Sequence, residues 1–249
     1  MVTSTQAFPV TRRIWSDAVL LVAGLVRLAA VPVVVALLLC GCAGVPVRDT
    51  VAHQSNLFTE ERLRLTADYA CRHYGIDGYE LREPQMIVLH YTAFPTLDES
   101  IRFFSSPLLD IGVRRDISAG GAVNVSAHYL VDTDGTVYQT APENVICRHT
   151  IGFNHVAIGI ENVGRGEEQL TGQQAEADAA LIRRILDRHP SIRFLIGHHE
   201  YRDSWRPHHK LFREDDPAYR LTDKIDPGAA FMGQVRTILA ERYGISLAD

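Results

Sequence analysis

The sequence has 249 residues, a length that allows one large domain or two small ones. It carries 25 Lys and Arg residues against 30 Asp and Glu residues, and its formal net charge is −5. Residues 1–41 hold three of the basic and one of the acidic side chains, so the remainder has 22 basic and 29 acidic residues and a charge of −7. This acidic balance argues against nucleic acid as a partner, because such binding relies on an excess of Lys and Arg.

The N-terminal region has the layout of a secretory signal peptide. Three arginines, Arg12, Arg13 and Arg27, are followed by an apolar run from Leu28 to Leu39. The run ends in Leu39-Cys40-Gly41-Cys42, which resembles a bacterial lipobox. We therefore expect residues 1–41 to be removed and Cys42 to carry a lipid anchor, which would make the protein an outer-membrane lipoprotein facing the periplasm.

A membrane-spanning helix over residues 18–39 is the alternative to this signal peptide. After Cys42 the sequence is small and polar without any period, so residues 42–56 are predicted to form a tether. Residues 57–249 are predicted to form a single catalytic domain.

Helices and strands alternate along this domain. Apolar residues recur at three and four positions after Thr59, which predicts a helix that Gly75 ends, and a capping box of Thr171 and Gln174 begins a second helix that Pro190 stops. A hairpin is predicted around Asp134-Gly135. The remaining predicted elements are strands at 85–92, 156–163 and 194–197 and a helix at 229–243. The fold class is α/β, with a mixed central β-sheet flanked by α-helices.

Two cysteines, Cys71 and Cys147, remain in the domain. In an oxidising compartment they could pair as a disulfide, and two buried free thiols are the alternative.

Two histidines stand where apolar strands end. His90 closes one strand, and His198 follows Phe194-Leu195-Ile196-Gly197 in the same way. A sheet presents side chains to a cleft at such positions, but a strand-end histidine is equally often a core residue. These positions alone therefore leave the role of the two histidines open.

A series of five motifs resembles the N-acetylmuramoyl-L-alanine amidases of the type that includes phage T7 lysozyme and the peptidoglycan recognition proteins. In chain order they are residues 87–92 (IVLHYT), 126–139 (SAHYLVDTDGTVYQ), 149–162 with its core AIGIE, 196–198 (IGH) and 224–228 (KIDPG). The resemblance covers residues 85–228. It implies hydrolysis of the amide bond between N-acetylmuramic acid and L-alanine, on peptidoglycan or its muropeptide fragments.

The resemblance also implies one catalytic Zn²⁺, held by His90, His198 and Asp226. Two imidazoles and one carboxylate leave a fourth tetrahedral position for water, as a catalytic zinc site requires. Glu161 matches the general base and acid of the branch with Ile-Gly-Ile-Glu. Lys224 would stabilise the oxyanion of the tetrahedral intermediate.

Further residues follow from the same motifs. His149 is expected to contact the oxyanion or the substrate, Asn154 is expected to bind substrate, and His128 is expected to be a structural neighbour of the site. Some relatives have a tyrosine just before the hairpin histidine, where this chain has Ala127, so proton transfer is expected to depend on Glu161.

The 27 residues between His198 and Asp226 form an unusually long connection. We expect it to line the cleft. It contains five residues with side chains suited to such a lining, namely Arg202, Trp205, Arg206, His208 and His209. It also leaves other candidates for the third metal ligand, namely Glu200, His208, Asp215 and Asp216.

Two other function classes are considered. A binding module that recognises muropeptides without cutting them would lack a metal ligand, whereas all three ligands and Glu161 are present here. A zinc peptidase using His198-His199-Glu200 would need the motif His-Glu-x-x-His, which does not occur in the sequence.

Overall fold

The computed structural model describes residues 51–54 and 57–249. The predicted signal peptide and Cys42 lie outside these residues, as does most of the predicted tether. One short strand, β1 (Val51–Gln54), falls inside the tether segment. Among the described residues, no helix combines the length and apolarity needed to cross a membrane.

Within residues 51–54 and 57–249, six strands form one mixed sheet, which confirms the predicted α/β class. The further strands are β2 (Met86–Tyr91), β3 (Tyr129–Val131), β4 (Val137–Gln139), β5 (Ala157–Asn162) and β6 (Phe194–Gly197). Their order across the sheet is β1-β4-β3-β5-β2-β6. Only the β3–β4 hairpin pair is antiparallel within the described sheet. The predicted hairpin turn at Asp134-Gly135 is confirmed.

The described part of the chain also contains four α-helices. They are α1 (Glu60–Tyr74), α2 (Leu97–Ser105), α3 (Gly172–Arg188) and α4 (Ala229–Tyr243). The Thr59 hydroxyl caps α1 by accepting a hydrogen bond from the Arg62 amide, and the predicted capping box of Thr171 and Gln174 begins α3. The three predicted helices are therefore confirmed. Helix α2 was not predicted, although the Thr96 hydroxyl caps it by accepting from the Glu99 amide.

Strand β2, which lies between β5 and β6, is buried on both faces, as its continuous apolar run predicts. Its side chains alternate between two cores. Ile87 and Leu89 belong to the core that includes α3 and α4, whereas Met86 and Val88 belong to the core that includes α1. The sheet thus separates two apolar layers, and β2 packs against both of them.

The register of β2 with its neighbours positions the strand ends. In the parallel pair with β5, His90 lies opposite Glu161. In the parallel pair with β6, Leu89 lies opposite Gly197, so His198 follows at the level of His90. Because parallel strands end at the same edge of a sheet, all three side chains meet there.

The two cysteines of the domain are free thiols. Cys147 is buried, and burial raises its pKa to about 12, whereas Cys71 is exposed. The disulfide considered from the sequence is therefore absent. The alternative of two buried thiols is also wrong, because Cys71 lies on the exposed face of α1, which the sequence does not show.

Behind the strand ends, helix α3 contributes a buried carboxyl group. Asp178 is fully buried, and its Oδ2 accepts a hydrogen bond of 2.9 Å from Asn162 Nδ2, which also donates to the His90 carbonyl. Oδ1 of Asp178 has no partner within the described residues. Burial raises the pKa of Asp178 to about 7.

This raised pKa makes stability depend on pH. The unfolded state loses the Asp178 proton near pH 4, whereas the folded state retains it up to about pH 7, so stability falls as pH rises through this window. Asp178→Asn removes the ionisable group. We expect the variant to gain about 2–3 kcal/mol more over wild type at pH 8 than at pH 5. Urea unfolding of both proteins at the two pH values measures this, and an equal difference at both would contradict the assignment.

Candidate metal centre and active site

A cavity of about 400 Å³ opens at the edge of the sheet where β2 and β5 end. The strand-end side chains His90 and Glu161 line it, together with His198, Lys224 and Asp226. The motifs that the sequence places far apart therefore meet in one cleft.

Three of these side chains bring potential ligand atoms together. Nδ1 of His90 lies 3.0 Å from Nδ1 of His198 and 3.1 Å from Oδ2 of Asp226. The distance from His198 Nδ1 to the same carboxylate oxygen is 3.0 Å. Among the described residues, no other group of three histidine, cysteine or acidic side chains is arranged to hold a metal ion.

Hydrogen bonds behind His90 orient its ring. His149 Nε2 lies 3.4 Å from the Ala157 carbonyl, which can only accept, so this nitrogen carries the proton of His149. Nδ1 of His149 is then an acceptor, and His90 Nε2 donates to it over 3.1 Å. As a result, Nδ1 of His90 presents a lone pair towards the carboxylate of Asp226.

The protonation of the trio also suits a cation. Burial lowers the pKa of His198 to about 4, so this imidazole is neutral at pH 7. Burial alone would raise the pKa of Asp226, but His198 and His90 lower it well below its usual range. Two imidazole nitrogens and one carboxylate oxygen are the donor set of an open zinc site, and the side chains present therefore fit the ion.

Asp226 is the acidic residue that completes the trio. Its backbone carbonyl accepts a hydrogen bond of 2.8 Å from the His199 amide, which ties the Asp226 turn to the residue after His198. The competing candidates have other roles: Glu200 pairs with Arg236, His208 packs against Phe153, Asp215 pairs with Arg213, and Asp216 pairs with Arg72.

Glu161 lies in the cavity wall beside the trio and is 8% exposed. Its Oε2 has no hydrogen-bond partner among the described residues. Burial raises the pKa of Glu161 to about 7; nearby His90, Arg114 and Lys224 oppose this rise, whereas Asp226 adds to it. A carboxyl group in this state can both accept and donate a proton near neutral pH.

Lys224 extends into the same cavity, with its side chain 18% exposed. Its ammonium lies 4.0 Å from Asp116, and Asp116 also forms two hydrogen bonds with Arg114. Burial and the nearby Arg114 lower the pKa of Lys224, against the opposing effect of three carboxylates. The two cations and Asp116 form one charged group on the wall of the cleft.

His149 and Asn154, the two residues predicted to contact substrate, line the cavity and are also hydrogen-bonded within the protein. Both ring nitrogens of His149 have such partners, and one of these hydrogen bonds orients His90. The Asn154 side chain is fully buried; its Oδ1 accepts from the amides of His149 and Thr150, and its Nδ2 donates to Tyr69. It fixes the loop that carries His149, and the substrate contacts expected for both residues stay predictions.

His128 supports the sheet, as expected from the sequence. Its Nε2 donates to the Val145 carbonyl, and its Nδ1 accepts from the Gly159 amide. Burial lowers its pKa to about 4, so the ring is neutral. Gly159 is required here because a Cβ atom would lie 2.8 Å from the ring of His149.

The long connection between His198 and Asp226 lines the cleft less than expected. Tyr219 and Lys224 lie in the cavity wall, but none of the five residues named from the sequence does. Trp205 is 78% exposed, and Arg206 pairs with Asp203 and Glu200. Most of this segment therefore packs beside the site instead of forming it.

A second wall was missed from the sequence. It comes from α2 and from the region between α2 and β3, and it includes Phe103, Val113, Arg114, Asp116 and Val125. The region between α2 and β3 has no hydrophobic period, but Leu97, Ile101 and Phe104 of α2 recur at four and three positions, a helical period that was missed. The capping pattern of Thr96 and Glu99, which begins α2, was a second indication of this helix.

Comparison with solved structures finds similar chains among cell-wall amidases and recognition proteins. N-acetylmuramoyl-L-alanine amidase LysC from Clostridium intestinale URNW is 23% identical over 67% of this chain and 89% of its own, with a TM-score of 0.43. The Ph2119 endolysin of a Thermus scotoductus bacteriophage is 24% identical over 67% and 93%, also with a TM-score of 0.43. Drosophila PGRP-LB is 17% identical over 68% and 88%, again with a TM-score of 0.43.

Comparison with curated proteins gives no match. The family model described as N-acetylmuramoyl-L-alanine amidase matches residues 80–229, which is more than half of the chain and includes every residue of the cavity trio. The chain belongs to the N-acetylmuramoyl-L-alanine amidase family.

Proposed function

We propose that this protein is a zinc-dependent hydrolase that cuts the amide bond between N-acetylmuramic acid and L-alanine of peptidoglycan or its muropeptide fragments. The observation that carries the proposal is the arrangement of Glu161 and Lys224 in the same cavity as His90, His198 and Asp226. A structural zinc site would need no unpartnered acid and no lysine beside it.

The trio would hold one Zn²⁺ through Nδ1 of His90, Nδ1 of His198 and Oδ2 of Asp226. When bound, the ion supplies Lewis-acid polarisation of the scissile carbonyl and lowers the pKa of a water molecule at its open position. His149 keeps His90 in the tautomer that leaves Nδ1 free for the ion.

Glu161 handles the proton in both halves of the reaction. Its carboxylate takes a proton from the attacking water as the new C–O bond forms. The same proton then passes to the amide nitrogen as the C–N bond breaks. The products are the lactyl carboxylate of muramic acid and the ammonium group of L-alanine, which takes up the second proton of the water. A carboxyl with a pKa of about 7 suits both transfers.

Lys224 stabilises the negative charge that develops on the carbonyl oxygen. Its ammonium lies in the cavity wall, where burial weakens its hydration and strengthens its attraction to an anion. Asp116 lies 4.0 Å away and restrains the long side chain.

Muropeptide digestion tests the function. Purified protein incubated with muropeptides is expected to release free stem peptide, detected by mass spectrometry, and a chelator should abolish the release. Glu161→Gln is expected to lower kcat roughly 100- to 10,000-fold, because the amide cannot transfer the proton. Glu176→Gln is the matched control, since this acid pairs with Arg242 on the outer surface.

Two results of this digestion would contradict the proposal. Binding of muropeptides by the zinc-loaded protein without any release would identify a recognition module. Release of disaccharide units instead of stem peptide would identify a glycosidase.

The role of Lys224 has a separate prediction. Lys224→Met is expected to lower kcat roughly 100-fold with little change in KM, because the lost interaction exists mainly in the transition state. Lys210→Met serves as the control, since Lys210 lies over the Phe194 ring and does not line the cavity. A rise in KM at unchanged kcat would assign Lys224 to substrate binding instead.

We further propose that the protein is an outer-membrane lipoprotein facing the periplasm, anchored through Cys42. The sequence Leu39-Cys40-Gly41-Cys42 after an apolar run supports this location, and the wall polymer is accessible there. N-terminal sequencing of the mature protein tests it, and residues ahead of Cys42 would contradict it.

A further inference from the structure

Helix α4 begins directly after the Asp226 turn and lacks a cap of its own. Its N-cap residue is Gly228, which has no side chain to accept the first free amides. Glu167, from the loop after β5, supplies the missing acceptor. Its Oε1 accepts hydrogen bonds of 2.6 Å from the Ala230 amide and 3.0 Å from the Phe231 amide. The carboxylate also complements the positive end of the helix dipole.

The Glu167 carboxylate fits closely against Gly228. A Cβ atom at position 228 would lie 2.2 Å from Cδ of Glu167, and the backbone there has a φ of +102°, which disfavours any side chain. The loop after β5 and the start of α4 are therefore in close contact at Gly228, two residues beyond Asp226.

Asp226 is thus held on two sides. The amide of His199 donates to its carbonyl over 2.8 Å, which fixes the turn to β6. Glu167 fixes the other side through α4, and the loop that carries Glu167 begins where β5 ends at Asn162, next to Glu161. One short loop therefore connects the strand of the proposed general base with the turn of the proposed third ligand.

We infer that Glu167 is a positioning residue for Asp226, which it holds at the metal site by capping α4 from outside the helix. The inference rests on the proposed function, because it concerns the same ligand trio. Loss of the cap would let the start of α4 and the Asp226 turn move relative to His90 and His198. The consequence would be weaker metal binding and altered coordination, without loss of any ligand.

Metal affinity of three variants tests this inference. Zinc affinity is measured by competition with a chromophoric chelator in wild type, Glu167→Ala, Glu167→Gln and Glu168→Ala. Glu167→Ala is expected to bind zinc about tenfold more weakly, the order of effect seen when groups that orient ligands are removed. Glu167→Gln keeps an acceptor and is expected to restore most of the affinity. Glu168→Ala removes the same charge from an exposed neighbour and is expected to leave the affinity unchanged.

The absorption of Co²⁺ separates positioning from a general loss of stability. At saturating Co²⁺ and below the unfolding temperature, Glu167→Ala is expected to show a visible band that differs from wild type, because the coordination geometry has changed. Wild-type zinc affinity together with a wild-type Co²⁺ band in Glu167→Ala would overturn the inference, as would an equal loss of affinity in Glu168→Ala. A wild-type protein that binds neither ion would overturn the ligand trio itself.

Discussion

The site depends on the parallel register of β5, β2 and β6. This register places Glu161 opposite His90 and brings His198 to the same level, one residue after Gly197. Because side chains alternate between the faces of a sheet, a shift of one residue would turn either end away from the other. Burial of β2 between two apolar layers stabilises this register, because a shift of one residue would move Ile87 and Leu89 out of the core that contains α3 and α4.

The electrostatics of the cleft follow from one hydrogen bond. His149 Nδ1 accepts a hydrogen bond from His90 Nε2, so the other nitrogen of His90 faces Asp226 with a lone pair. Two acceptors 3.1 Å apart repel each other unless a cation lies between them. Glu161 lies beside this group and remains without a partner within the described part of the chain. The trio can therefore accept one cation, and the carboxyl group of Glu161 beside it can gain and lose a proton.

The sequence predicted those features that depend on local patterns. Apolar runs and caps located the strands and three helices, and the strand ends located His90 and His198. Asp226 and Lys224 came from the family motif alone, since they lie in an irregular turn. The hydrogen bonds of His149 with Ala157 and of Asn154 with Tyr69 could not be predicted from the sequence, because they depend on tertiary packing. The wall formed by residues near Arg114 was not predicted, because no hydrophobic periodicity marks the segment that contains them.

The central claim is that His90, His198 and Asp226 hold one zinc ion with an open position. X-ray absorption at the zinc edge of the loaded protein tests it most directly. The account predicts two imidazole nitrogens at about 2.0–2.1 Å, with oxygen atoms completing a four-coordinate shell and no sulfur. Asp226→Ala should retain both imidazoles and alter the oxygen shell. A sulfur ligand near 2.3 Å, a third imidazole, or a shell that Asp226→Ala leaves unchanged would contradict the account.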